Sequence, residues 1–472
     1  MAAPSPDLQR KIDNSKKIRK ERKNLDDHHR AFPEHYINSK TLDTLEYVKP
    51  WEQKHIIKPS KEKKQNKMYQ STLQEIFYAP TSPTPKVLVL CVDFSDKPAS
   101  FPIYDLFLPS IESRFNLPSG LSVKKYFTDV SLGKHLPTFE IHGWYRMPQT
   151  RAYYANAEYG MGSIGINTLT TDALNLATND PLINWCLFDN DGNYTVDYIC
   201  LICAGYTAET TGNVNDLWSI AYGKTNLIPG KTCNGYTITT NLFMRSGEYS
   251  VGYNPTGVYC HEYAHMLGTK DLYDTSGSTR GAGYWSLMGN GGYLNSGNTP
   301  CNIDAYNRNR IGWTTNIINL TGYNSIQNSL ISDIIYIYTS TDPNQHYIIE
   351  NRQKAAWDTY IPGSGILIWH VSTICKFYPS SSYVAYLKQA DGLDQLGLAK
   401  ANYGDSGDSY PGLTVNRTFN RITNPNTLLC GSTTNYLGYA ITNISDSASI
   451  MTFTSTADIP PCPQPTCILS VT

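Results

Sequence analysis

The first sustained apolar run in the chain is KVLVLCV at 86–92, and it follows a proline-rich joint at 79–85 where a folded unit is expected to begin. The run is far short of the roughly 20 residues that cross a bilayer, so it predicts a buried strand rather than a membrane span. Helix-compatible stretches at 122–129 and 163–177 alternate with strand-like sequence up to about residue 182, the mixture of an α/β unit. From about residue 302 the pattern changes. Short β-rich runs at 334–339, 347–350, 365–370, 383–387 and 448–453 are separated by Gly, Asn, Ser and Pro turns, which predicts a C-terminal β-sandwich.

Between these two patterns lies NPTGVYCHEYAHMLGTKD at 254–271. Asn254 suits an N-cap, Pro255 the first helical position and Gly268 a left-handed stop, so the segment predicts one helix over 254–268. His261 and His265 then fall one turn apart on one helical face, a spacing that lets two imidazoles grip one metal ion. Glu262 between them can act on a water without taking a coordination position. Gly268 lets the chain turn back, so Asp271 can offer a carboxylate oxygen as third ligand with the fourth position left open. Downstream, YWSLMGNGGY at 284–293 carries Met288, suited to an apolar floor under the metal, and Tyr293, a candidate oxyanion donor that serves equally as a packing residue.

HEYAHMLGTKDLYD followed by YWSLMGNGGY resembles the metallopeptidases related to immune inhibitor A. Blocks on either side are similar in order and spacing, among them VLVLCVDFSDKPA, FDNDGNYTVDYICLICAGYTAE, IDAYNRNRIGW, PGSGILIWHV and GDSGDSYPG, so the likeness runs from about Lys86 to Phe453. The resemblance implies an α+β fold: a metzincin-like catalytic domain with a mixed twisted sheet and an active-site helix at 86–315, then a β-sandwich at 316–456. It implies a zinc endopeptidase acting on protein or peptide substrates, with His261, His265 and Asp271 on the zinc and Glu262 as general base. Two departures stand out. Thr269-Lys270 occupies the place where the family more usually has Leu-Pro, and no apolar run of signal-peptide length occurs in the first 68 positions of a sequence similar to secreted proteins. The rival expectation is a catalytically silent binding or structural protein on the same scaffold; an intact Glu262 speaks against it.

Composition bounds the remainder. With 472 residues, 40% hydrophobic and 17% charged, the chain has material for two or three packed units and resembles neither a collagen, a coiled coil nor a wholly disordered chain. Its net charge of −1 is a sum of unlike parts: residues 1–68 hold 17 Lys+Arg against 10 Asp+Glu, a net of +7, which leaves −8 on the remainder. The basic arm at 1–78 reads as a solvated arm or pro-segment, or as a contact for an anionic partner. Eleven scattered cysteines do not form a dense disulfide framework. Cys200 and Cys203 sit in a β-rich run where an odd separation sends them to opposite faces, so they read as buried strand residues rather than a metal pair. Cys462 and Cys467, in the Pro/Cys tail at 457–472, are candidates for a bridge.

Two acidic stretches complete the candidates. Asp189, Asp191, Asn193 and Asp197 place oxygen at alternating positions, compatible with structural calcium or with an acidic hairpin turn. Asp391, Asp394, Asp405 and Asp408 form a second Asp/Gly-rich stretch, read as turns ahead of a calcium site. Asn193, Asn319, Asn416 and Asn443 fit the glycosylation acceptor pattern.

Overall fold

The computed structural model describes residues 82–105, 110–274, 278–375, 384–398 and 402–458. The basic arm, Cys462 and Cys467 lie outside these residues. No helix among the described residues is long and apolar enough to cross a membrane.

The first sheet is mixed. Strand β1 (Lys86–Asp93) lies parallel between β2 (Thr138–Arg146) and β3 (Thr195–Tyr206), and β3 pairs in parallel with β6 (Tyr236–Tyr249). The short strands β4 (Ile220–Gly223) and β5 (Leu227–Cys233) pair antiparallel with β6. Parallel strands are covered on both faces, and the side chains of β1 divide accordingly. Val87, Val89 and Cys91 belong to one core with Tyr126 and Tyr263, and Leu88, Leu90 and Val92 to another with Leu169 and Leu174. Cys200 and Cys203 on β3 divide in the same way, both buried and unbridged, as their odd spacing requires.

Helices α1 (Ile111–Asn116) and α2 (Val123–Val130) lie on the first of those faces and α3 (Leu169–Ala177) on the second. The expected helix at 122–129 starts at its serine cap: Ser122 Oγ accepts from Lys125 N–H at 3.0 Å. The stretch expected as one helix over 163–177 is in fact a π turn at Ile164–Thr168 leading into α3. Helix α4 (Thr256–Met266) carries the two histidines and lies against β4, β6 and α2, and its apolar residues share a core with those of the C-terminal strands. It begins two residues after Asn254, whose Oδ1 accepts from the Thr256 N–H at 3.0 Å, so the expected capping side chain is used from one position further out.

After α5 (Ala305–Arg310) come β7 (Thr315–Ile317), β8 (Gly322–Gln327), β9 (Ile334–Thr339), β10 (Gln345–Arg352), β11 (Gly365–Ser372), β12 (Ala385–Leu387), β13 (Tyr439–Thr442) and β14 (Ile450–Ala457). They form a five-stranded sheet, β12-β11-β10-β9-β7, and a three-stranded sheet, β13-β14-β8. The expected run at 448–453 starts later, at Ile450. Strand β8 carries too few apolar residues to have been expected and buries only two positions, and β13 is too short, at four residues, to stand out. The period-two alternation decides what each face meets. Ile335, Ile337, Ile348, Leu367 and Trp369 face the core that contains α4, whereas Tyr336, Tyr338, Tyr347, Ile349, Ile366 and Ile368 share a core with Met451 and Phe453 of β14. The middle sheet is therefore buried on both sides.

Two arginines and two carboxyl side chains are sealed in the seam between that sheet and α5. Arg308 Nη2 donates to Glu350 Oε2 at 3.0 Å, and Arg352 donates to Asp358 through Nε at 2.7 Å and Nη2 at 2.6 Å. Neutral donors complete Glu350: Trp369 Nε1 at 2.8 Å and Ser329 Oγ at 3.0 Å. Buried ions are tolerated only when such bonds replace their hydration.

Two disulfides, Cys186–Cys233 and Cys375–Cys430, join positions 47 and 55 residues apart. Nothing in the spacing pointed to these partners. For the seam, Arg352→Met strands a buried carboxylate and should cost about 3–5 kcal/mol. Urea unfolding followed by tryptophan fluorescence checks this; an unchanged midpoint would contradict the assigned role of the network.

Candidate metal centre

His261 and His265 leave α4 on the same side with their rings 4.9 Å apart and nearly perpendicular. Each ring has one nitrogen fixed by the backbone. His261 Nδ1 lies 2.9 Å from the carbonyl oxygen of Leu287, and His265 Nδ1 lies 3.1 Å from that of Thr269. A carbonyl only accepts, so both Nδ1 atoms carry hydrogen, which leaves Nε2 as the nitrogen each ring can offer to a metal. Gly268 takes a φ of +105°, a conformation open to glycine, and the chain turns back as the sequence led us to expect. Asp271 Oδ1 then lies 3.1 Å from His261 Nε2 and 3.0 Å from His265 Nε2. Three acceptor atoms converge in this way only around a shared cation, a proton or a metal. Ligand atoms on tetrahedral zinc stand roughly 3.3 Å apart, given bonds of about 2.0–2.1 Å. The donor set and its spacing thus fit a divalent metal of the zinc type.

Glu262 is fully buried at this end of the sheet. Met288 is also buried, and the turn that contains it is tied to both ligand-bearing segments. Met288 O accepts from Leu272 N–H at 2.8 Å, and the Thr269 hydroxyl donates to Met288 Sδ at 3.3 Å. Tyr293 packs in a small cluster with Val258 and Tyr273 beside α4. Burial, with Glu209 and Glu262 adding negative charge nearby, pushes its phenol well above the usual value, so it remains a hydrogen donor.

A bracket that sequence reading missed holds the third ligand. Asp304, the N-cap of α5, accepts from Ser286 Oγ at 2.6 Å, and Ser286 Oγ in turn accepts from the Met288 N–H at 2.9 Å. Asn307 accepts from the Lys270 N–H at 2.7 Å and donates to the Lys270 carbonyl at 3.0 Å. Arg310 Nε donates to the carbonyl of Gly268 at 2.8 Å. The signal was present as polar residues at 304, 307 and 310, one face of a short helix. It also gives the Thr-Lys departure a physical meaning: a proline at 270 has no N–H to give Asn307.

The acidic stretch at 189–197 forms a tight turn whose carboxylates cap its own N–H groups. Asp189 accepts from Asn193 N–H at 2.9 Å and from Tyr194 N–H at 2.8 Å, and Asp197 from Asn190 N–H at 2.8 Å. Asp189, Asp191 and Asp197 bring one oxygen each within 4.8 Å of the others, while Asn193 bonds to Asp191. Burial pushes the Asp197 carboxyl up to about 7. Of the second stretch, Asp391, Asp405 and Asp408 come together and Asp394 does not; Asp394 instead accepts from the Tyr386 hydroxyl.

Residues 104–314 match the family model described as Immune inhibitor A peptidase M6, catalytic domain. The chain is also similar to the pre-pro-metalloprotease PrtV of Vibrio cholerae serotype O1, in strains M66-2 and ATCC 39315 / El Tor Inaba N16961, with 26% identity over 257 residues in each. The matched stretch covers 44% of this chain and 27% of those relatives, so the chain spans about a quarter of their length.

The bracket predicts a graded effect. Asn307→Leu removes both bonds to Lys270 while leaving every ligand in place, and should weaken zinc binding about 10–100-fold with circular dichroism unchanged. Competition against a zinc indicator measures this; unaltered affinity would remove Asn307 from the account.

Proposed function

We propose that this chain, which carries an immune inhibitor A-type peptidase M6 catalytic domain at residues 104–314, is a zinc endopeptidase acting on protein substrates. The observation that carries the proposal is the convergence of His261, His265 and Asp271 within 4.8 Å beside a buried glutamate. Family and relatives support a metallopeptidase; zinc, the endopeptidase activity and the roles of single residues are our own assignment.

Zinc, when bound, supplies Lewis acidity that acidifies a water and polarises a carbonyl. Every other part is played by the chain. The Leu287 and Thr269 carbonyls hold both imidazoles in the tautomer that presents Nε2. Glu262 accepts the proton of the attacking water and returns it to the leaving amine, converting a poor leaving group into a neutral one. Tyr293, kept protonated by its buried setting, is suited to donate a hydrogen bond to the oxygen that gains charge. On the same reading the catalytic fold is metzincin-like, the two C-terminal sheets form a sandwich, and the acidic turn at 189–197 is suited to structural calcium.

Glu262→Gln should keep zinc while kcat/KM for casein falls about 10²–10⁴-fold. Casein cleavage by the variant at the parent rate would contradict the proposal. Zinc-loaded parent protein that cleaves nothing would favour the silent-scaffold alternative instead.

A further inference from the structure

A cavity of about 200 Å³ opens beside β12, bounded by Tyr386, Lys388, Gln389, Asp394, Asn424 and Asn426. None of these residues belongs to the histidine site or to either group of three aspartates. Lys388, one residue past β12, is half-buried, and among the described residues its ammonium makes neither an ion pair nor a hydrogen bond; Nζ stands 5.7 Å from the centre of the Tyr386 ring. An ammonium drawn out of water without an anion is costly. Burial pushes it down to about 8, so it stays charged at neutral pH. His370, opposite Tyr386 on β11, adds no second charge: burial first, then Lys388 and His346, push its imidazole well below the ordinary value. No ion pair joins Asp394 to the lysine; its carboxylate accepts from the Tyr386 hydroxyl and from Gln389 Nε2 at 3.2 Å. The amides of the opposite wall are half used. Asn424 Nδ2 donates to the Gly392 carbonyl at 3.2 Å and Asn426 Oδ1 accepts from the Leu428 N–H at 3.1 Å, which leaves the Asn424 side-chain carbonyl and the Asn426 amino group for a ligand.

We infer that this cavity binds a sugar acid, a hydroxyl-bearing ring with one carboxylate, whose carboxylate meets Lys388 and whose hydroxyls meet Asp394, Asn424 and Asn426. One ammonium matches one negative charge, and a carboxylate in the same cavity tells against a dianionic phosphate. A bare anion would leave the amides unused, and an apolar group would cover them without replacing their hydrogen bonds to water. A sugar ring offers donors and acceptors around its rim and an apolar C–H face for the Tyr386 ring. The volume suits a single such ring. The inference goes beyond the peptidase reading, and its test reads binding rather than cleavage, so either can fail without the other.

Saturation-transfer NMR on the full-length chain tests it, with glucuronate and N-acetylneuraminate as probes and glucose and acetate as the separate halves of the same chemistry. At least one sugar acid should bind, and glucose and acetate should bind about tenfold more weakly or not at all. Sialyllactose, run beside N-acetylneuraminate, separates a glycan end from a free sugar acid as the source of that chemistry. Lys388→Met keeps the aliphatic stem and removes the charge, and Asp394→Asn removes the other charged wall. Each should weaken binding of the sugar acid about tenfold or more, with the thermal midpoint followed in parallel to show that the fold is kept. Lys354→Met, at an exposed lysine outside the cavity, should leave binding unchanged. Failure of both sugar acids to bind, acetate binding as tightly as they do, or folded Lys388→Met and Asp394→Asn chains that bind like the parent would overturn the inference.

Discussion

The hydrogen bond from His261 Nδ1 to the carbonyl of Leu287 is the joint on which the architecture turns. It links the helix that carries both imidazoles to the turn that carries Met288, across 26 positions of the chain. It also fixes which nitrogen of His261 faces the metal position. An imidazole free to rotate would offer either nitrogen and lose rotamer entropy on binding. The remainder of the centre repeats the same device, with the Thr269 carbonyl for His265 and the Asn307 amide for the backbone before Asp271. Both imidazoles are thus oriented by backbone carbonyls, which are stiffer supports than another side chain would be.

Such a joint is only as firm as the turn it leans on, and the middle sheet supplies that firmness. Arg352 donates to the Trp285 carbonyl at 3.1 Å as well as to Asp358, and Trp369 on the neighbouring strand donates to Glu350. The turn under the centre is thus tied to β10 through a fully buried guanidinium. Ion pairs in such places give little net stability compared with apolar packing, yet they tolerate few alternative arrangements. Alternation within the sheet explains why the C-terminal part is not a detachable appendage: one face of every central strand packs against the core of the catalytic part, the other against β14. Removing that sheet would expose one side of the core containing α4.

Much of this was legible in the sequence because it is local. The HExxH spacing, Gly268 and Asp271 fall within eleven consecutive residues, and helical periodicity with one glycine turn suffices to bring the side chains together. Strand β1 was equally plain, since a strand buried on both faces is a continuous apolar run. Elements that are poor in apolar residues or very short escaped: β8, the four-residue β13, and the π turn that interrupts the expected helix at 163–177. So did every contact made across long sequence separations. Nothing within a window around Asn307 announces that its amide will meet Lys270, and no spacing rule pairs Cys186 with Cys233 or Cys375 with Cys430. The four aspartates at 391–408 illustrate the same limit, because composition cannot tell that Asp394 turns to Tyr386 while the other three meet.

The central claim is that two imidazoles and one carboxylate form a single zinc site. X-ray absorption at the zinc edge of the full-length chain addresses it most directly, with His265→Ala as comparison. One zinc per chain with nitrogen and oxygen neighbours at about 2.0–2.2 Å, lost or reorganised in the variant, is the result the account predicts. A chain that takes up no zinc, a sulfur-dominated shell, or a spectrum unchanged by His265→Ala would contradict it.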